Sequence, residues 1–265
     1  ARAKQLGCQR MSRAELLSTL FNAAGTGIAI GGTSGKSTTT GMIAWILDQC
    51  GKDPTVMNGA VMKNFVTPAN PFASARVGTQ AMFVSEVDES DGSIALYRPA
   101  VAVLLNVSLD HKSLAELRVL FGDFIASART AVINLDSAEA AALASRAPSR
   151  VTFALDHPQA DITIDPASVE PGALGIKAVV RDQRSGVRFP LTLPMPGRHN
   201  LSNALAAIAA ADAAGIGIGD AIRALGTFAG LARRFDVIGT SPRGISVIDD
   251  FGHNPEKCAA TLRTL

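Results

Sequence analysis

"IAIGGTSGKSTTTGMIAWIL", residues 28–47, passes from apolar residues through glycines to Lys-Ser and then into a helix-like pattern. A strand, a glycine-rich loop, a lysine, a hydroxyl residue and a helix, in this order, are the parts of a phosphate-binding loop. Backbone N–H groups of such a loop and the dipole of the helix favour a bound anion. The stretch therefore predicts a nucleotide site in which Lys36 reaches the phosphates and Ser37 offers its hydroxyl to Mg²⁺.

The loop differs from the strict pattern G-x-x-x-x-G-K-[ST] at one position, because Ile30 stands where the first glycine would be. The alternative interpretation is a glycine turn whose lysine is merely exposed. The strand, the turn, Gly-Lys-Ser and the helix nevertheless follow one another in the required order, which favours the phosphate site.

The composition favours a globular α/β protein. The chain has 265 residues, of which 47% are hydrophobic, enough for one large domain or two modest ones. A formal net charge of +2, with scattered lysines and arginines, gives no electrostatic case for nucleic acid. Three widely spaced cysteines make no metal site and indicate a reducing compartment. Because no apolar run reaches the roughly 18 residues of a membrane span and no signal core is visible, we expect a cytoplasmic location without membrane contact.

Apolar segments alternate with helical patterns through the first 150 residues. The segments "GIAIGG", "AMFVSE", "AVAVLLNVS" and "TAVINLD" have the character of buried strands. Strands that alternate with helices at this spacing predict a mostly parallel, doubly wound α/β sheet. Between residues 150 and 195, short strand-like segments broken by Pro, Gly and Asp predict a small antiparallel β subdomain. Helices then return, and a hairpin is expected over 233–251.

Acidic residues follow the second of these strands in "SEVDESDGS", residues 85–93. In open α/β sheets, ligands gather at the carboxyl ends of strands, and a carboxylate there is placed to hold the Mg²⁺ of a nucleotide. Glu86 is the best candidate because it lies at the strand end. For Asp88, Glu89 and Asp91, a solvated acidic loop is an equally good interpretation.

The segment "LLNVSLDH", residues 104–111, ends the next apolar run. Asn106 and His111 follow that run directly, close to the other phosphate and metal signals. A histidine in this position is a candidate ligand of a second metal ion, although an isolated histidine is more often structural.

A cluster of polar side chains opens a later helix in "MPGRHNLSNALAA", residues 195–207. Asn200 and Asn203 are three residues apart and share a face of the first turn, with His199 beside them. Amide side chains can bond the donor and acceptor edge of adenine, and ordinary helix capping is the alternative.

Two further charged segments, "LARRFDV" and "VIDDFGHNP", flank the predicted hairpin. Arg233 and Arg234 are candidate phosphate contacts, and Asp249 or Asp250 a candidate contact of a ribose hydroxyl. Taken alone, these residues are equally well explained as surface charges.

Together these motifs resemble the Mur ligase family, the ATP-dependent amino-acid ligases of peptidoglycan precursor synthesis. "GGTSGKSTTT" looks like the shortened phosphate loop of that family, G-T-x-G-K-[ST]-[ST], which does not need the glycine absent at Ile30. "EVDESDGS", "NVSLDH" and "GRHNLSNALAA" are similar to E-A-D-E-S-D, N-I-x-x-D-H and G-x-H-N-x-x-N-A-L-A-A of its alanine-adding branch. "RRF" and "DDFGHNP" match the last motifs of the family.

The resemblance implies a division into domains. Residues 1–25 correspond to the tail of an N-terminal nucleotide-sugar domain or linker, and residues 26–240 to the central ATP-binding domain. Residues 241–265 correspond to the start of a C-terminal Rossmann-like domain, so that the flanking domains are expected to be largely absent.

The resemblance also implies residue roles. The expected nucleotide contacts are Gly32, Thr33, Ser34, Gly35, Lys36, Ser37, Thr38, Asn106, His199, Asn200, Asn203 and Asp250. Ser37 and Glu86 would hold one Mg²⁺ and His111 a second. The expected catalytic residues are Lys36, Glu86, His111 and Arg234.

The activity implied by the resemblance is an ADP-forming amide ligation that uses ATP and Mg²⁺. The carboxylate of a UDP-N-acetylmuramate-type substrate becomes an acyl phosphate, which the amine of L-alanine, or of another amino acid or peptide, then attacks. The enzyme is expected to be a monomer or a homodimer. Ser34 and Asn254 stand where the alanine-adding branch usually has histidines, and the "HNP" that results resembles cyanophycin- and folylpolyglutamate-type ligases. The segment "KSLAELRVL" after His111 looks more like a murein tripeptide ligase, so both alternatives stay open. A P-loop NTPase switch and a nucleotide-binding module are the alternatives outside the ligases.

Overall fold

A computed structural model describes residues 2–8, 10–79, 81–109, 112–252 and 255–264. The strands are β1 (Thr26–Gly31), β2 (Thr55–Met57), β3 (Ala75–Arg76), β4 (Met82–Glu86), β5 (Val101–Leu104), β6 (Thr130–Asn134), β7 (Arg150–Phe153), β8 (Ile162–Ile164), β9 (Glu170–Gly172), β10 (Gly175–Asp182), β11 (Arg188–Leu193), β12 (Asp236–Thr240) and β13 (Ser246–Asp249). The α-helices are α1 (Arg2–Gln5), α2 (Arg13–Asn22), α3 (Lys36–Gln49), α4 (Leu114–Ala126), α5 (Ala138–Leu143), α6 (Arg198–Ala213), α7 (Ile218–Leu225) and α8 (Pro255–Leu262). Short 3₁₀ helices cover Lys63–Phe65, Ser93–Leu96, Ala144–Arg146 and Pro166–Ser168.

Parallel strands form the middle of one large sheet, in which β1 pairs with both β4 and β5. Successive side chains of a strand point to opposite faces, so Ile28 and Ile30 face one side and Ala29 the other. The first side joins a core with α3, α6 and α7, and the second joins a separate core with Phe21 of α2 and Phe121 of α4. Helices therefore cover both faces, which confirms the predicted doubly wound α/β fold.

The region beyond residue 150 is antiparallel only in part. β10 pairs antiparallel with β8, β9 and β11, as predicted. β7, however, pairs parallel with β6, and β8 pairs parallel with β7. These strands extend the edge of the same sheet, because apolar side chains such as Ile162 and Val180 join the core under α6 and α7. The small antiparallel region predicted from the Pro and Gly breaks is thus present as an extension of the main sheet.

Local sequence signals fix several helix ends. Ser12 and Glu15 form a reciprocal capping box at the start of α2, and Ser113 and Glu116 form another at α4. The predicted hairpin is present as β12 and β13, which form a separate two-stranded sheet. Among the described helices, none combines the length and the apolar character that a membrane crossing requires.

Candidate functional site: a phosphate loop and its acidic neighbours

The candidate site lies at the carboxyl edge of the central parallel strands. β1 ends at Gly31, β4 at Glu86 and β5 at Leu104, and β1 lies between the other two strands in the sheet. This edge is where open α/β sheets bind ligands. In the described part of the chain, a cleft of about 850 Å³ opens there. The phosphate loop, the acidic segment, the segment after β5, the start of α6, the end of the hairpin and α8 all line it.

The turn from β1 into α3 has the backbone of a phosphate loop. Gly35 has a φ of +86°, in the left-handed region that favours glycine, and α3 begins at the next residue, Lys36. A Cβ atom at Gly35 would lie 2.5 Å from Asn203 Oδ1, so α6 also restricts this position to glycine. Lys36, Ser37 and Thr38 line the cleft, which places the unpaired N–H groups of the first turn of α3 at its wall.

Asn106 fixes the shape of this loop from the neighbouring strand. Its Nδ2 donates to the Ser34 carbonyl oxygen at 3.0 Å, and its Oδ1 accepts from the Ser34 N–H at 2.9 Å. The Thr33 hydroxyl bridges the same segments, since it donates to the Ser108 carbonyl at 3.2 Å and accepts from the Ser108 N–H at 3.0 Å. The Asn106 amide is therefore engaged with the loop itself, and its effect on a nucleotide would act through Ser34.

Ser37 and Glu86 both line the cleft and are in contact with each other. The Ser37 hydroxyl donates to Glu86 Oε2 at 2.8 Å. Among the described residues, no group of three or more His, Cys, Asp or Glu side chains is arranged to hold a metal. Mg²⁺ is usually held by one or two carboxylates together with phosphate oxygens and water, so this pair of oxygen donors fits it. His111, the candidate for a second metal, lies outside the described residues.

Residues directly after β2, which the sequence analysis did not single out, support this pair. Asn58 Nδ2 donates to the Ser37 carbonyl oxygen at 3.0 Å, and its Oδ1 accepts from the Ala60 N–H at 3.1 Å. A Cβ atom at Gly59 would collide with Glu86 Oε1, so a larger residue there would displace this carboxylate from its position beside Ser37. An Asn-Gly pair directly after a strand was the available signal, but it is read first as a turn.

Lys36 forms an ion pair with Glu89 inside the cleft. Lys36 Nζ lies 2.8 Å from Glu89 Oε2, and it also donates to the Gly32 carbonyl oxygen at 2.6 Å. Glu89 is 5% exposed, so the interpretation as a solvated acidic loop is wrong for this residue. The interpretation as a solvated loop does fit Asp88 and Asp91, which are exposed and accept hydrogen bonds from nearby backbone N–H groups.

The start of α6 presents the predicted amide and imidazole groups. Asn200 is 2% exposed, and its Nδ2 donates to the Pro196 carbonyl oxygen at 2.7 Å, whereas the start of α6 has no side-chain cap hydrogen bond. Asn203 lies against Gly35, and His199 lines the same wall. The His199 side chain is exposed to the cleft, yet loss of surrounding water lowers its pKa. The negative charge of Asp250 opposes this shift, and the positive charge of Arg263 adds to it. The imidazole is therefore favoured in its neutral form.

The segment before β12 brings Arg234 to the cleft. Burial lowers the pKa of Arg234, and the carboxylates of Asp250 and Glu86 oppose this shift. Asp250 Oδ2 accepts from the Phe235 N–H at 2.8 Å, which fastens this segment to the end of β13. Arg233 instead pairs with Asp249, at 3.6 Å. Of the two candidate arginines, Arg234 therefore lines the cleft, and of the two candidate aspartates, Asp250 does.

Both arginines also contact one aromatic ring. The guanidinium carbons of Arg233 and Arg234 lie 4.9 and 5.0 Å from the centroid of the Phe251 ring. Such cation–π contacts orient a guanidinium without neutralising its charge. Arg234 thus keeps a positive charge at the cleft wall.

Comparison with known proteins gives a consistent result. The sequence profile of the Mur ligase middle domain matches residues 30–211. The UDP-N-acetylmuramate–L-alanine ligase of Agrobacterium fabrum is 38% identical over 274 aligned positions, which cover 99% of this chain and 56% of that protein. The chain therefore spans about half the length of the curated relatives it matches, as the 56% figure shows.

Solved structures give the same likeness. The UDP-N-acetylmuramate-alanine ligase of Thermotoga maritima superposes with a TM-score of 0.83 and 27% identity, over 99% of this chain and 59% of that one. The murein peptide ligase of Psychrobacter arcticus superposes with a TM-score of 0.79 and 28% identity, again over 99% and 59%.

Proposed function

We propose that this chain, which belongs to the Mur ligase family, carries the ATP site of an ADP-forming ligase that joins L-alanine to UDP-N-acetylmuramate. The observation that carries the proposal is the meeting of Ser37 and Glu86, at 2.8 Å, in a cleft that Lys36 and Arg234 also line. A hydroxyl, a carboxylate and two cations, beside a phosphate loop, suit a nucleotide that donates a phosphoryl group. The likeness to alanine-adding relatives supports the choice of substrates.

The protein's own groups have distinct tasks in this proposal. Lys36 and the N–H groups of residues 32–38 bind the phosphates, and Arg234 contacts the phosphoryl group that is transferred. Ser37 and Glu86 hold a Mg²⁺ ion, which supplies charge neutralisation when bound, and His111 is assigned to a second ion. The remaining nucleotide contacts are assigned to Thr33, Ser34, Thr38, His199, Asn200, Asn203 and Asp250, with the amides at adenine and Asp250 at the ribose.

The reaction proceeds in two displacements. A carboxylate oxygen of the acceptor attacks the γ-phosphorus of ATP, and ADP leaves, so that an acyl phosphate forms. The amine then attacks the acyl carbon and displaces inorganic phosphate, which forms the amide and releases a proton. Positioned cations lower the cost of the charge that moves onto the phosphoryl oxygens, which is the main contribution of a protein to such a transfer. Because ATP and UDP-N-acetylmuramate are both nucleotides of the cell interior, we place the reaction in the cytoplasm.

The murein peptide ligases are the second candidate, since one of them superposes almost as well. They differ in the amine that is joined, which in the proposal is L-alanine and in this alternative is a peptide. In the proposal, the residues assigned above contact the nucleotide, so they do not distinguish between these two amines. The choice between these candidates therefore depends on a direct comparison of amines.

Phosphate release tests the proposal. ATP, Mg²⁺ and UDP-N-acetylmuramate are supplied with L-alanine, with other amino acids or with the L-Ala-D-Glu-diaminopimelate tripeptide, using this chain and any longer native polypeptide that contains it. We expect release that requires both the acceptor and an amine, and that is fastest with L-alanine. Release with ATP alone would indicate an NTPase switch, preference for the tripeptide would indicate a murein peptide ligase, and nucleotide binding without release would indicate a binding module.

A further inference from the structure

Glu89 is a buried carboxylate that the proposed reaction does not use. Its side chain is 6% exposed, and its Oε2 lies 2.8 Å from Lys36 Nζ, the cation assigned to the phosphates. Asp88 and Asp91, in the same acidic segment, are exposed, and each accepts a hydrogen bond from a backbone N–H group of its own turn. Among the three carboxylates that follow Glu86 in this segment, Glu89 is thus the one with a described hydrogen bond to the phosphate loop.

The contacts of Lys36 limit what it offers to a phosphate. An ammonium group has three N–H donors. One donates to the Gly32 carbonyl oxygen and another to Glu89, which leaves a single donor for a ligand. The carboxylate also cancels much of the positive charge of Lys36 at the distance of a bound phosphate. A nucleotide entering this loop therefore meets a neutral pair instead of a free cation.

We propose that Glu89 is the resting counter-ion of Lys36, which holds the lysine in place before nucleotide binds and makes nucleotide binding depend on Mg²⁺. A nucleotide without a cation brings its full negative charge against Glu89 and is repelled. A nucleotide with Mg²⁺ carries less net charge, and the repulsion falls. Glu89 is a positioning residue in this account, because it acts through Lys36. The inference rests on the proposed function, since it takes residues 32–38 to bind nucleotide phosphates.

The test compares two variants that remove the same charge from the same segment. Glu89→Gln removes the carboxylate beside Lys36, and the Gln amide oxygen can still accept from Nζ. Asp91→Asn is the matched control, because Asp91 is exposed and hydrogen-bonds to Ser93. Dissociation constants of ADP and ATP are measured by calorimetry, once with EDTA and once with excess Mg²⁺. Thermal unfolding checks that each variant is folded.

We expect Glu89→Gln to bind nucleotide in EDTA about tenfold more tightly than the unmodified chain, as expected for the loss of a nearby like charge. With Mg²⁺ the gain should shrink to about twofold, whereas Asp91→Asn should stay within about twofold in both buffers. Glu89→Asp keeps the charge. The ratio of its nucleotide dissociation constants in EDTA and in Mg²⁺ should therefore resemble the ratio of the unmodified chain. This second variant also tests the inference if Glu89→Gln does not fold.

The possible failures are distinguishable. A folded Glu89→Gln chain that binds cation-free nucleotide equally or more weakly would overturn the inference and leave the proposed function intact. An effect of Glu89→Asp as large as that of Glu89→Gln would show that charge is not the cause. If the unmodified chain binds no nucleotide in either buffer, the proposed function and the inference both fail.

Discussion

Replacing Lys36 by methionine removes the charge of the phosphate loop and leaves Glu89 buried without its partner. Loss of one member of a fully buried ion pair costs about 3–5 kcal/mol, because the remaining charge is uncompensated. Lys36 keeps 20% of its side chain exposed and Glu89 only 6%, so water reaches this pair from one side. We therefore expect the free energy of unfolding to fall by about 2 kcal/mol. Adding Glu89→Gln should recover about half of that loss, because the stranded charge is then removed.

Urea unfolding measures both effects, with fluorescence of Trp45, the only tryptophan, as the probe. Trp45 lies in α3, the helix that begins at Lys36. Lys63→Met is the control. Lys63 pairs with Asp236 at 2.7 Å, but its own side chain is 40% exposed, and ion pairs of exposed side chains contribute at most about 1 kcal/mol to the free energy of unfolding. A Lys36→Met chain as stable as the unmodified one, or a double variant no more stable than Lys36→Met, would refute the reasoning. Neither variant should retain ligase turnover, and turnover without Lys36 would contradict the phosphate-loop assignment itself.

Other predictions address the loop, its support and the cleft wall. Gly35→Ala should lose nucleotide binding in calorimetry and unfold with about 1–2 kcal/mol less stability, because it forces a left-handed conformation and displaces Asn203. Asn106→Ala should weaken nucleotide binding about tenfold through loss of its hydrogen bonds to Ser34, whereas an unchanged dissociation constant would mean that the loop needs no such support. Loss of surrounding water lowers the pKa of His199 below its ordinary value of about 6.5, although the residue is exposed to the cleft, so the unfolded chain binds the proton more readily. Stability from this group is therefore fully present above that value and is lost as the pH falls through the lower folded pKa. His199→Gln should flatten this part of the curve of unfolding free energy against pH, and an unaltered curve would argue against it.

Signals that lie within one short segment were sufficient to predict much of the molecule. The order of residues 28–47 predicted the turn from β1 into α3. This feature depends on contacts between residues a few positions apart. The central parallel sheet followed from the alternation of apolar strands with helices.

Contacts across the sheet had no such local signal. The support of Ser37 by Asn58 requires that β2 lie beside β4, and the pairing of Glu89 with Lys36 joins residues 53 positions apart. Strand direction beyond residue 150 was likewise decided by a shared core under α6 and not by the Pro and Gly breaks. The burial of Glu89 is therefore visible only in three dimensions, although its sequence position is inside a motif.

In the proposed reaction, an acceptor carboxylate is activated by phosphorylation in this cleft. Acceptor labelled with ¹⁸O in its carboxylate tests this step directly, when the inorganic phosphate formed with ATP and L-alanine is analysed by mass spectrometry. Attack on the γ-phosphorus carries one carboxylate oxygen into the phosphate, so we expect one ¹⁸O in each phosphate released. Phosphate that contains only unlabelled oxygen, formed at the same rate as the amide, would contradict it.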